Sequence, residues 1–132
     1  MKIISWSVQY SVGVDELDRQ HQKIIHLINE LSDCLGTDSE IATASRVLNE
    51  MHSYIMEHFG LEERLLGSAR YPQLAAHKEG HNRFINQFSH LCAEVDSQSA
   101  NAVPHLLAYL NDWWNTHIMQ EDMQYKPLLG RQ

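Results

Sequence analysis

Long apolar runs are missing from this sequence. Nowhere do about 18 apolar residues follow one another, as a membrane-spanning helix requires, and the apolar stretch within Met1–Trp6 is too short for a secretory signal. A cytoplasmic location is the resulting expectation. Cysteine is scarce as well. Cys34 and Cys92 lie far apart without CxxC spacing, which argues for two reduced thiols used in packing and against a thiolate zinc site or an iron–sulfur cluster. Positive charge is thin: 10 Lys and Arg stand against 17 Asp and Glu, for a formal charge of -7, and no basic run occurs. Nucleic acid and anionic membrane surfaces are therefore poor partners. Alternating apolar patterns long enough for a sheet are absent too.

What is present is helical period. Leu17, His21, Ile24, Ile28, Leu31 and Leu35 step by four and three along one helix face, and Gly36 follows as a stop. Thr37-Asp38-Ser39 offers N-cap chemistry before a second stripe through Ala44, Met51, Ile55, His58, Glu62 and Leu65, which ends near Gly67. Tyr71-Pro72 opens a third, carried by Leu74, His77, His81, Phe84, Phe88, Leu91 and Val95. After the polar stretch Asp96–Asn101, Pro104 stands near the start of a fourth, with Val103, Leu110 and His117 inward, and Pro127 and Gly130 close the chain. These stripes predict helices over about 16–36, 40–66, 72–95 and 102–121 behind an extended N-terminal arm, 1–14. With 132 residues and short connections, the expectation is a single all-α domain over 1–132, an antiparallel up-down-up-down four-helix bundle acting as a monomer.

Nine histidines stand in this chain. His26, His52, His90 and His105 fall off the stripes and read as surface rings. His21, His58, His77, His81 and His117 take positions where the pattern demands an apolar residue, and Glu62 joins them. Five buried rings and a carboxylate would cost several kcal/mol unless something binds them all. Depth along the bundle gives a second argument. The start of the first helix, the end of the second, the start of the third and the end of the fourth share one end of such a bundle, so all six residues converge on one layer.

Spacing alone says little, because HxxxE occurs four times: His26/Glu30, His58/Glu62, His90/Glu94 and His117/Glu121. Only His58/Glu62 has both residues facing inward. His77/His81 is the one HxxxH, a spacing that places two ring nitrogens on one face for adjacent sites on an ion. So many nitrogen donors exceed what one tetrahedral zinc takes, and two ions are implied. Iron suits the ligand type, with manganese or a mixed pair left open. The ferritin-type E-x-x-H pair does not occur, which ranks iron storage last.

At this point the residues resemble the hemerythrin family across nearly the whole chain. The matching segments are Val12-Gly13-Val14, Asp18-Arg19-Gln20-His21, His58-Phe59 with Glu62-Glu63, Tyr71-Pro72 with His77 and His81, and Trp113 with His117-Ile118 and Asp122. The resemblance implies two iron ions (Fe2+/Fe3+) with a bridging oxo or hydroxo group. One iron would take His77, His81 and His117, and the other His21 and His58 with an open position. Glu62 and Asp122 would bridge. It implies reversible dioxygen binding without catalysis, as carrier, store or supplier to an oxygen-consuming enzyme; the alternative is a di-iron enzyme that reduces peroxide or nitric oxide on the same ligands. Ile55, Phe59, Trp114 and Ile118 are the candidate walls of the oxygen pocket. Trp114 stands where many members of the family carry Leu. Helical spacing from His117 favours Glu121 as the inward carboxylate, whereas the family pattern selects Asp122, so the fourth helix is expected to be distorted or to end there.

Overall fold

A computed structural model of the chain describes residues 4–129. Met1–Ile3 of the expected arm, and Gly130, lie outside the described residues. Four long helices follow one another: α1 (Asp15–Asp33), α2 (Glu40–Ser68), α3 (Leu74–Asp96) and α4 (Ala102–Trp113). The chain then winds through a π-helical segment, Trp114–Glu121, and a 3-10 turn, Asp122–Tyr125, into the short α5 (Lys126–Leu129). Among the described residues there is no strand, and no helix is long and apolar enough to cross a membrane. Helix α1 packs on α2, α2 on α3 and α3 on α4, and α4 closes back on α1. The protein is an all-α four-helix bundle.

Local chemistry explains where the helices start and stop. Asp15, Glu16 and Asp18 place negative charge at the positive end of α1. That helix ends at Asp33, before the expected limit, because Cys34 caps it and the turn needs Gly36 in the left-handed region at φ 75°. Leu35 is accordingly only half-buried, and Cys34 takes the buried place. Glu40 reaches back to accept a hydrogen bond from Gly36 N at 2.8 Å, so its carboxylate serves the turn, and Ser39, the last of the expected N-cap residues Thr37-Asp38-Ser39, makes no side-chain cap. At the far end of α2 the buried residue is Leu66, with Leu65 half-buried. Pro72 lies in the connecting turn, and α3 begins two residues later, at Leu74. Pro104 sits in the first turn of α4, where its missing N–H has no helical partner to lose.

The arm is tied down by specific polar contacts. Asn29, buried on α1, accepts from Ile4 N at 3.1 Å and donates to Ile4 O at 2.7 Å, which pairs both backbone polar groups of that buried residue. Asp18 accepts from Ser11 Oγ at 2.5 Å and from Val12 N at 2.9 Å. Between these clasps the chain makes one 3-10 turn, Val8–Tyr10, and Trp6 and Tyr10 lie against the core.

Buried apolar side chains form two clusters. The larger includes Ile24, Met51, Ile55, Phe59, Phe84, Leu110, Trp113, Trp114 and Ile118; the smaller is Val12, Leu17, Leu66, Tyr125 and Leu129. Several of the buried polar residues fall between them in sequence: His21 between Leu17 and Ile24, His58 and Glu62 between Ile55 and Leu66, Asp122 between Ile118 and Tyr125. The bundle therefore carries a polar layer with apolar material above and below.

Candidate metal centre

The structure brings His21, His58, Glu62, His77, His81, His117 and Asp122 together in that layer, all of them buried. The other four histidines, His26, His52, His90 and His105, are exposed. Neighbouring helices run in opposite directions, so the first turns of α1 and α3 meet the last turns of α2 and the segment after α4.

Two groups of donor atoms can be distinguished. Glu62, His77, His81 and His117 offer one atom each within 4.8 Å of one another, and so do His21, His58, Glu62 and Asp122. In the first group the Nε2 atoms of His81 and His117 face each other at 3.1 Å; in the second, those of His21 and His58 also stand 3.1 Å apart. Donors in adjacent positions on an ion about 2.1 Å away sit about 3 Å from each other, so both spacings fit a shared cation.

The carboxylates span the two groups. Glu62 Oε1 lies 2.5 Å from His77 Nε2 and 2.9 Å from His81 Nε2, while its Oε2 lies 3.7 Å from His58 Nε2. Asp122 Oδ1 is 3.2 Å from both His77 Nε2 and His117 Nε2, and its Oδ2 is 3.3 Å from His21 Nε2. Each carboxylate thus turns one oxygen to each side. Neither Asp122 oxygen makes a hydrogen bond despite complete burial, and His21 Nδ1 is also unpartnered. A buried carboxylate without a hydrogen bond is costly unless a cation completes it. Five imidazoles, two spanning carboxylates and no thiolate are a donor set that fits a pair of iron ions.

Residues 12–129 match the family model described as hemerythrin HHE cation binding domain. The chain belongs to the hemerythrin family. It is 31% identical to the bacteriohemerythrin of Stenotrophomonas maltophilia over 125 residues, covering 95% of this chain and 80% of that protein. With the bacteriohemerythrin of Clostridium acetobutylicum it shares 26% identity, over 91% of this chain and 96% of the relative. The hemerythrin-like protein of Naegleria gruberi is 30% identical, over 95% and 92% of the two chains. Among solved structures, a wild-type hemerythrin superposes with a TM-score of 0.87 at 25% identity, covering 97% of this chain and 98% of that one.

Why Asp122 and not Glu121 faces inward follows from the winding of this hemerythrin-family chain. The backbone N–H of Asp122 bonds to His117 O, five residues back, so in the π-helical segment residues five apart share a face. Glu121 is rotated outward, with Oε1 3.8 Å from His117 Nδ1.

Electrostatics of the layer show how its own side chains hold charge there. Burial alone would raise the Glu62 carboxyl, but hydrogen bonds from His77 and His81 prevail and hold it well below the usual carboxylate range. Burial likewise opposes charge on His77, yet its contacts with Asp122 and Glu62 push its pKa up to about 10. His58 goes the other way: burial, then the neighbouring His21, pulls it down to about 3. Glu62 and Asp122 are thus held low while His77 and His117 are raised, the carboxylate charge favouring the protonated imidazole beside it.

Four contributors escape a search for inward stripes. Gln20 Oε1 lies 2.7 Å from His58 Nδ1, Glu63 Oε2 lies 2.7 Å from His81 Nδ1, Glu121 flanks His117, and Tyr125 donates to Glu62 Oε2 at 2.6 Å. Gln20 and Glu63 each adjoin a stripe residue and stand in the segments that resemble the hemerythrin family, which are the signals available for them. Of the four candidate wall residues, Trp114 sets its ring edge-to-face against His21 at 6.1 Å, and Phe59 stacks on His81 at 3.7 Å with planes 4° apart. Ile55 and Ile118 are buried in the larger apolar cluster above the layer.

Proposed function

We propose that this chain binds dioxygen reversibly at a di-iron centre with a bridging oxo or hydroxo group, and serves as a carrier, store or supplier to an oxygen-consuming enzyme. The observation that carries this reading is the unequal division of a buried donor set: three imidazoles on one side, two on the other, and two carboxylates turned to both. His77, His81 and His117 would hold one iron and His21 and His58 the other, with Glu62 and Asp122 offering an oxygen to each side.

Bound iron supplies the electrons that make the attachment of oxygen reversible. The side chains do the rest. Glu62 and Asp122 offset the charge of the ions within an apolar interior. Tyr125 fixes Glu62 from the outer side. Trp114 and its apolar neighbours keep bulk water from the His21/His58 half, which protects it against loss of the oxygen ligand to side reactions.

The test is spectroscopic. Chain loaded anaerobically with two ferrous ions and exposed to air is expected to gain a visible charge-transfer band that vanishes on flushing with argon. A band that fails to appear, or steady consumption of peroxide and a reductant in place of reversible oxygenation, would overturn the proposal.

A further inference from the structure

Each imidazole that faces the centre through Nε2 has a second nitrogen turned away from it, and the two halves differ in what those outer nitrogens meet. On the trihistidine side, His81 Nδ1 donates to Glu63 Oε2 at 2.7 Å, and His117 Nδ1 lies 3.8 Å from Glu121 Oε1. Both groups are carboxylates, Glu63 at hydrogen-bond distance and Glu121 acting through its charge from further off. On the other side, His58 Nδ1 donates to the neutral amide oxygen of Gln20 at 2.7 Å, and His21 Nδ1 is buried without any partner.

An anionic acceptor behind an imidazole polarises its N–H and makes the opposite nitrogen a better donor to a cation; an amide does this weakly, and no partner does not do it at all. The halves therefore differ twice over, in nitrogen count and in what stands behind His81 and His117 as against His58 and His21, and both differences have the same sign.

We propose that Glu63 and Glu121 make the trihistidine half the tighter pocket, so that it takes one divalent cation before the His21/His58 half takes the second. The proposal rests on the ligand set given above. A singly loaded chain is then an intermediate of assembly, and its second half is free to accept a different divalent metal, giving a mixed-metal pair.

Redox-silent zinc is the probe, added to the ion-free chain while the ring nitrogens are followed by heteronuclear NMR and affinities are read against a competing chelator. At one equivalent the rings of His77, His81 and His117 should shift, and those of His21 and His58 only with the second. Glu63→Gln should weaken the first step about tenfold and spare the second. Gln20→Glu should tighten the second step and narrow the gap; because that change buries a new carboxyl, Glu63→Gln decides the matter where the Gln20 variant does not fold. Shifts of His21 and His58 before or together with the others, or equal weakening of both steps by Glu63→Gln, would overturn the order of loading. Uptake of fewer than two ions per chain, or none of the five rings responding, would overturn the ligand set itself.

Discussion

Tyr125 donates its phenolic hydrogen to Glu62 Oε2 across 2.6 Å, and both side chains are wholly buried. The contact links the chain beyond α4 to α2, 63 residues earlier, and it is made at the boundary between the polar layer and the smaller apolar cluster. Burial, and then the negative charge of Asp122 and Glu62, pushes the Tyr125 hydroxyl well above its usual range, so it remains a donor at every pH the fold tolerates.

Tyr125→Phe keeps the ring and removes only that donor. Glu62 Oε2 is then left buried with its carboxylate charge poorly satisfied. A hydrogen bond to a charged group is worth about 1.5–3 kcal/mol, and the ion-free variant is expected to lose stability of that order in a denaturant titration. With both ions bound, much of the loss should be recovered, because a cation takes over the role of satisfying the carboxylate. Equal destabilisation of the ion-free and loaded forms would show that Tyr125 serves packing alone.

The fold could be read from the sequence because four stripes with helical period carry it, and burial follows those stripes closely from Leu17 to Val95. The polar layer was legible for a related reason: His21, His58, His77, His81 and His117 stand where apolar residues belong, and Glu62 shares the stripe of His58. Asp122 was not readable in this way. An α-helical period assigns the inward position to Glu121, and only the switch to π winding after Trp113 reverses the choice. Gln20, Glu63 and Tyr125 escaped the stripe pattern for a different reason. They act on the outward-facing atoms of inward residues, and a pattern that sorts side chains into inside and outside has no place for a residue that supports another from behind.

Protons should leave when metal enters. His77, raised to about 10, is protonated at neutral pH in the ion-free chain, and an imidazole must be neutral to hold a cation. The first equivalent of zinc is therefore expected to release about one proton at pH 7 from this ring, with apparent affinity rising up to about tenfold per pH unit until pH approaches 10. His58, lowered to about 3, is already neutral and should release none. Stability of the ion-free chain follows the same shifts. The raised His77 contributes stability that is complete below its unfolded value of about 6.5 and is lost as pH rises through about 10; the lowered His58 contributes stability present above about 6.5 and lost as pH falls toward 3. A pH-stat titration with zinc checks the release, and pH-independent affinity between 6 and 9 would contradict it.

Trp114 supplies the last test, because it is the largest side chain lying directly against the two-histidine half. Its indole meets His21 edge-on at 6.1 Å and Tyr10 of the arm at 6.4 Å, so it connects the arm to the centre as well as covering it. Trp114→Leu leaves an apolar side chain but removes much of the ring's volume beside His21. Small anions such as azide, which would compete for the free position of the proposed centre, are expected to bind several-fold faster in the loaded variant, and the oxygenated form should decay to the ferric state faster as water and anions gain entry. Complete truncation, Trp114→Ala, should also cost about 3–5 kcal/mol of stability in the ion-free chain through the cavity it leaves. Stopped-flow mixing with azide separates the two effects. A rate unchanged in Trp114→Leu, with stability reduced, would assign the indole to packing of the arm and move the entrance elsewhere, toward the groove of about 210 Å³ beside Gly80 that reaches the outer edge of His117.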